Sequence, residues 1–267
     1  MHLKIQYASD LHLEFGGRKG ELLLARTDAD VIILAGDIST GVQGIIWAGE
    51  LARERGVSVI YVPGNHEFYG QVHEYALKEM RDAAEEHGVH LLDCDELILE
   101  GVRFLGATLW TDYRADPEIR QGLAMQECED MMNDHRRIRT RIGNRYRKFL
   151  SKDAADLHIR AREWLAEKLA EPHPGNTVVI THHGPAPACQ CPEYPVDALS
   201  GAYWWDLTDL FNPQAAQLWI YGHTHGNVDT GVNGVRLVSN QPGYPGETPS
   251  GEYDPGKVVT PDMYESS

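Results

Sequence analysis

The 267-residue chain has 24 Lys and Arg against 40 Asp and Glu, a formal net charge of −16, with 42% hydrophobic and 24% charged residues. That composition is ordinary for a chain with a sizeable buried core, and it excludes wholesale disorder, collagen and a coiled coil. The acidic balance argues against nonspecific coating of nucleic acid, which needs many Lys and Arg contacts to phosphate, but it is compatible with a local basic patch.

The N-terminus has no signal-peptide pattern, and apolar runs such as Val31 to Ala35 are too short to span a bilayer. A cytoplasmic location without a membrane partner is therefore expected. The four cysteines, Cys94, Cys128, Cys189 and Cys191, make no zinc-ribbon spacing. Reduced, incidental thiols are expected, with an extra metal or redox site at Cys189 and Cys191 as the alternative.

In chain order, Lys4 to Ala8 and Val31 to Ala35 read as short buried strands. Gly44 to Arg55 reads as a helix, and Val57 to Val62 as a strand ended by Pro63-Gly64. Gln71 to His87 has helical periodicity that places Val72, Tyr75, Ala76 and Met80 on one face, with Gly88 as its stop. Leu97 to Leu99 and Val102 to Leu105 flank Gly101 as a hairpin. The composition then shifts. From Pro117 to about Ala170 the pattern is polar, charge-dense and helical, which predicts two or three helices as a cap inserted at about residues 113–171 of a single domain spanning 1–267. Strand signals return at Thr177 to Thr181 and Leu218 to Tyr221. Asn233-Gly234 marks a hairpin between Gly231-Val232 and Val235 to Val238. A Pro- and Cys-rich loop covers Gly184 to Pro195. The tail from Gln241 reads as surface loop, with a late strand near Val258-Val259.

Candidate ligands follow the apolar runs in five short segments. They are Asp10-Leu11-His12, Gly36-Asp37, Gly64-Asn65-His66-Glu67, His182-His183 and Gly222-His223-Thr224-His225. Strand ends along one sheet edge bring their loops together. At this composition Gly-His-x-His is expected by chance roughly 0.06 times in such a chain, so its presence after a strand, beside the other segments, is informative. Two carboxylates, one Asn carbonyl and four imidazoles suit two divalent transition metals, zinc, iron or manganese, if one Asp bridges. The absence of cysteine from these segments argues against a closed structural zinc site. Two metals roughly 3.5–4 Å apart are a common device for phosphoryl hydrolysis.

The ordered set Asp-x-His, Gly-Asp, Gly-Asn-His-Glu, His-His and Gly-His-x-His, from Asp10 to His225, resembles the calcineurin-like metallophosphoesterase superfamily. The stretches Met132-Asn133-Asp134-His135 and Ser239 to Glu247 resemble a group of poorly characterised bacterial members. The resemblance implies an α/β fold, a four-layer α-β-β-α sandwich, with the metal site at one sheet edge. It implies that Asp10, His12 and His225 hold one metal, that Asn65, His182 and His223 hold the other, and that Asp37 bridges. His66 would be the general acid that protonates the leaving oxygen. Of His182 and His183, the first after the strand is the expected ligand.

One departure stands out. Members often have Gly-Asp-x-x-Asp, whose second Asp orients the catalytic His, and here the segment ends in Thr40. This weakens the phosphomonoesterase reading, in which a poor leaving group most needs protonation. The stretch Arg136 to Lys148 holds seven basic residues. It reads either as a solvated helix face or as a cap that draws an anionic substrate to the site. Asn133, Asp134, His135 and Tyr69 are the candidate substrate contacts. Trp204, Trp205 and Trp219 read as core rather than as base-stacking platforms. The expected function is two-metal hydrolysis of a small or nucleotide-like phosphodiester, with an oligonucleotide less favoured. Phosphomonoesterase is the runner-up, and a noncatalytic interaction module on the same fold is the alternative from another class.

Overall fold

The structure, a computed structural model, describes residues 3–16, 23–115, 117–247 and 250–262. The first half builds one sheet from β1 (Ile5–Ala8), β2 (Val31–Leu34), β3 (Ser58–Tyr61) and β4 (His90–Leu91), with α1 (Gln43–Arg55) and α2 (His73–His87) as crossovers. The hairpin of β5 (Asp95–Leu99) and β6 (Val102–Ala107) opens the second sheet. The chain then makes α3 (Gln121–Met131), the single turn α4 (Asp134–Arg137), a two-stranded ribbon of β7 (Arg139–Ile142) and β8 (Arg145–Lys148), and the long helix α5 (Ser151–Ala170). It completes the second sheet with β9 (Thr177–Thr181), β10 (Leu218–Tyr221), β11 (Asp229–Val232) and β12 (Val235–Ser239), and returns to the first with β13 (Val258–Val259).

Strand order is β13-β1-β2-β3-β4 in one sheet and β11-β12-β10-β9-β6-β5 in the other. β1 to β4 run parallel, as do β6, β9, β10 and β12, with antiparallel strands only at the edges. The central strands read as unbroken apolar runs because both of their faces are covered. One side of the first sheet (Ile5, Tyr7, Val31, Ile33, Ile60) meets one side of the second (Phe104, Val178, Ile180, Leu218, Ile220). The outer face of the first sheet packs on α1 and α2 through Ile45, Ala48, Met80 and Ala84. The outer face of the second packs on α5 through Ala161, Leu165 and Leu169. The architecture is thus the expected α-β-β-α sandwich. Among the described residues no helix is long and apolar enough to cross a membrane.

Three local expectations are corrected. Tyr75 is 41% exposed, and the buried face of α2 is His73, Ala76, Met80 and Ala84. The segment 139–148 is a β-ribbon rather than a helix. Gly143, at φ 57°, fits the first central position of a tight Gly-Asn turn. Thr140 is its buried residue and donates to Glu74 Oε1 at 2.7 Å, so the ribbon is pinned along α2. The tail is not merely surface: Asn240 and Gln241 are buried, Asn240 Nδ2 donates to the Tyr7 carbonyl at 3.0 Å, and Tyr244 and Glu247 reach the strand-end crevice. The described cysteines are all free thiols. Trp219 and Trp204 are buried and Trp205 is half-buried, and Trp204 forms an isolated bridge to Gly184.

Candidate metal centre and active site

Every candidate ligand sits in the turn after a parallel strand. Asp10 and His12 follow β1, Asp37 follows β2, Asn65 and His66 follow β3, His182 follows β9, and His223 and His225 follow β10. The carboxyl ends of such strands are where ligands bind in open α/β sheets. Here the two sheets contribute to one crevice. Asp10, His12, Asp37, His223 and His225 all have positive φ, at 54°, 48°, 55°, 72° and 49°. The left-handed region costs a non-glycine residue about 1–2 kcal/mol. Strain gathered in one place is a mark of functional sites. Two glycines make room: a Cβ on Gly64 would lie 2.6 Å from the Asp37 amide nitrogen, and one on Gly222 would lie 2.7 Å from Asp10 Oδ2.

Glu67 ties the loops together. It is fully buried and accepts from the amides of Asp37 (3.0 Å), Ile38 (2.9 Å) and Gly64 (2.7 Å), and from the Tyr61 hydroxyl (2.7 Å). The Asp37 carboxylate in turn accepts from the His66 amide at 2.8 Å. The Asp10 carboxylate accepts from the His223 amide at 2.9 Å, which joins the first sheet to the second.

The expected ligands converge in two groups, Asp10 with His12 and His225, and Asp37 with His182 and His223, while a third group joins His12 to Glu14 and His66. In the second group acceptors face acceptors. His182 Nδ1 donates to the Ala35 carbonyl at 2.9 Å, which leaves Nε2 as a bare lone pair in the neutral ring. That lone pair lies 3.0 Å from Asn65 Oδ1 and 3.3 Å from Asp37 Oδ1. Asn65 is turned this way because its Nδ2 donates to Asp134 Oδ1 at 2.8 Å. Across the crevice, His12 Nε2 and His225 Nε2 are 3.2 Å apart, with Asp10 Oδ1 3.3 Å from the latter. Both rings direct Nδ1 at a carboxylate, Glu14 at 3.4 Å and Glu247 at 2.7 Å. His223 Nε2 is buried with no hydrogen-bond partner. His183, by contrast, donates Nδ1 to the Thr108 carbonyl at 3.0 Å and stacks near Trp110, outside both groups.

The electrostatics agree. Burial pushes His182 down to about 3 and His223 well below its ordinary value, so both rings are neutral. Burial, together with the Glu67 and Asp10 carboxylates, pushes Asp37 well above the usual carboxylate range. Burial disfavours a charged His225, yet its hydrogen bonds to Asp10 and Glu247 raise it to about 9. Clustered lone pairs and crowded carboxylates are the environment that divalent cations complete. The donor set fits the two-metal expectation.

His66 lies beside both groups, its Nε2 3.7 Å from Asp37 Oδ2. Its Nδ1 is 2.7 Å from Glu14 Oε1, and its Nε2 is 3.1 Å from the Tyr244 hydroxyl. Burial opposes ionisation of Glu14, but hydrogen bonds from His12 and His66 bring it down to about 2. Glu14, Tyr244 and Glu247 were missed by sequence reasoning. The alternation Asp10-x-His12-x-Glu14 was the available signal for the first, and for the other two it was the resemblance of Ser239 to Glu247, which assigned them no role.

A cleft of about 460 Å³ opens from Asp37, Asn65, His223 and His225. Of the candidate substrate contacts, Tyr69 and the exposed Asn133 line it. Asp134 and His135 do not. Asp134 is buried and accepts from Asn65 and from the Tyr69 hydroxyl at 2.7 Å. His135 is buried between the Phe149 carbonyl (3.1 Å) and the Tyr113 hydroxyl (3.2 Å). The Tyr69 ring also packs against the His66 ring, with centroids 4.2 Å apart.

Comparison with known proteins agrees with this geometry. Residues 3–227 match the calcineurin-like phosphoesterase family. An uncharacterised protein of Acanthamoeba polyphaga mimivirus is 24% identical over 199 residues, 70% of this chain and 68% of that one. The acyl-carrier-protein phosphodiesterase PptH of Mycobacterium tuberculosis is 41% identical over 63 residues, 23% of this chain and 19% of PptH. The crystal structure of that phosphopantetheinyl hydrolase superposes with a TM-score of 0.71 at 22% identity, covering 91% of this chain and 90% of its own. Fold, strand-end donors and sequence together lead to one conclusion: the chain belongs to the calcineurin-like phosphoesterase family.

Proposed function

We propose that this phosphoesterase is a two-metal phosphodiesterase. Asp10, His12 and His225 would hold one divalent ion, Asn65, His182 and His223 the other, and Asp37 would bridge. When bound, the ions supply positive charge for the phosphoryl oxygens and an activated water. His66 donates the proton to the leaving oxygen. Glu14 fixes the His66 ring through Nδ1, so that Nε2 faces the crevice where the Tyr244 hydroxyl now sits. A leaving oxygen takes that hydroxyl's place. Asp134 keeps the Asn65 carbonyl aimed at the metal site.

Glu14 changes the argument about leaving groups. Because a carboxylate does orient His66, the lack of an acid at position 40 no longer speaks against monoesters. The preference for diesters rests instead on the cleft: among the described residues that line it, none is Lys or Arg. A phosphomonoester dianion gains most from extra cationic side chains, whereas a diester carries a single charge and a second arm that needs room. The name of PptH, a phosphodiesterase, supports the same reading. The test is turnover of bis-p-nitrophenyl phosphate against p-nitrophenyl phosphate by metal-stripped protein reloaded with Mn²⁺. Faster turnover of the diester supports the reading, and a monoester preference overturns it.

A further inference from the structure

The cleft beside the metal residues is chemically lopsided. Its walls come from the end of α3 (Met131, Met132), the Cys-containing loop (Cys191, Tyr194) and the segment before β10 (Leu199, Tyr203). Apart from groups of the metal site itself, the charged residues that line it among the described residues are two acids, Asp197 and Glu247. The seven basic residues of Arg136 to Lys148 are elsewhere. Most lie on the β7-β8 ribbon along α2, where Arg147, for example, pairs with Asp153. Arg137 lies 5.1 Å over the Tyr69 ring, but it is exposed and does not line the cleft.

An anionic group entering such a space would lose hydration without gaining a cation. It would also meet two carboxylates under the field of an acidic chain. Apolar and aromatic walls instead reward an arm with apolar surface to bury. A volume of about 460 Å³ falls in the range of small-ligand pockets. We infer that this cleft receives an uncharged, largely aliphatic arm of the phosphoester, and that it discriminates against nucleotide polyphosphates and nucleic acid. The inference rests on the phosphodiesterase reading and narrows its substrate class. The basic ribbon is, on this account, a solvated surface rather than part of the substrate site.

The experiment is equilibrium binding, by calorimetry, of three probes to the Mn²⁺-loaded protein: methyl phosphate, hexyl phosphate and hexane-1,6-diyl bisphosphate. All three present a phosphate to the metals, and only the arm differs. Hexyl phosphate is expected to bind at least about tenfold tighter than either of the others, because its chain buries apolar surface and carries no distal charge. Equal or tighter binding of the bisphosphate, or no gain of hexyl over methyl, overturns the inference. Met131, at the cleft wall, is 59% exposed, so Met131→Lys adds the missing cation without disturbing the core. It should narrow the gap between the hexyl and bisphosphate probes, and an unchanged gap counts against the assignment. Hydrolysis of bis-p-nitrophenyl phosphate is followed in parallel. Its absence with the hexyl preference intact sinks the phosphodiesterase reading and leaves the cleft assignment standing.

Discussion

Glu14 Oε1 lies 2.7 Å from His66 Nδ1, where it would supply the orienting carboxylate that Thr40 cannot. It joins the loop after β1 to the loop after β3, and it sets which ring nitrogen faces the crevice. A positioned general acid contributes about 10²–10⁴-fold, most of all when the leaving group is a poor one. Glu14→Gln should therefore slow hydrolysis of an alkyl diester by about tenfold or more, and leave p-nitrophenol release within about threefold. Rates across a series of leaving groups check this. A uniform loss for all of them would mean that Glu14 acts through His12 or the fold rather than through His66.

Asp134 acts one step from the metal residues. Its Oδ1 accepts from Asn65 Nδ2 at 2.8 Å and from the Tyr69 hydroxyl at 2.7 Å. Partners that orient ligands typically matter by ~10–100-fold in metal affinity. Asp134→Ala should weaken one of the two metal sites by that factor and leave the other unchanged, as read by Mn²⁺ titration.

Glu67 is structural by its contacts, since it collects backbone amides from two loops and the Tyr61 hydroxyl. Removal leaves several buried donors without partners, at about 1–3 kcal/mol each. Glu67→Ala should lower unfolding stability by at least about 3 kcal/mol, measured by denaturant titration of the metal-free protein.

His158 gives the fold a pH dependence away from the metal site. It is buried on α5, its Nδ1 3.2 Å from the Trp110 carbonyl, and burial pushes it from 6.5 down to about 4. The unfolded chain takes up this proton first as pH falls. The contribution is therefore fully present above about pH 6.5, is lost as pH falls toward about 4, and is flat below. Its size is on the order of 3 kcal/mol. His158→Gln should flatten the slope of stability against pH between these limits, and an unchanged slope would assign the acid sensitivity to other groups.

The candidate ligands are legible in the sequence because each follows an apolar run that reads as a buried strand. Strand ends of a parallel sheet gather by topology, so Asp10, Asp37 and His182 converge without any knowledge of side-chain contacts. Glu14 was harder to see. Its reach to His66 depends on the left-handed turn at His12 and the short turn Leu13–Phe15, which no periodicity announces. The ribbon 139–148 was misread because dense charge conceals alternation, and Thr140 is its only buried residue. Tyr244 and Glu247 lie in a segment whose composition says loop and whose contacts come from distant strands. Packing of that kind is written in three dimensions only.

The most direct test is a titration of metal-stripped protein with Mn²⁺, in which bound metal and hydrolysis of bis-p-nitrophenyl phosphate are read on the same samples, beside Asp37→Asn. The account predicts that activity appears as the chain takes up its second equivalent, and that the variant fails both to fill two sites and to turn over the diester. Full activity in stripped protein, at a single equivalent, or in Asp37→Asn would contradict it.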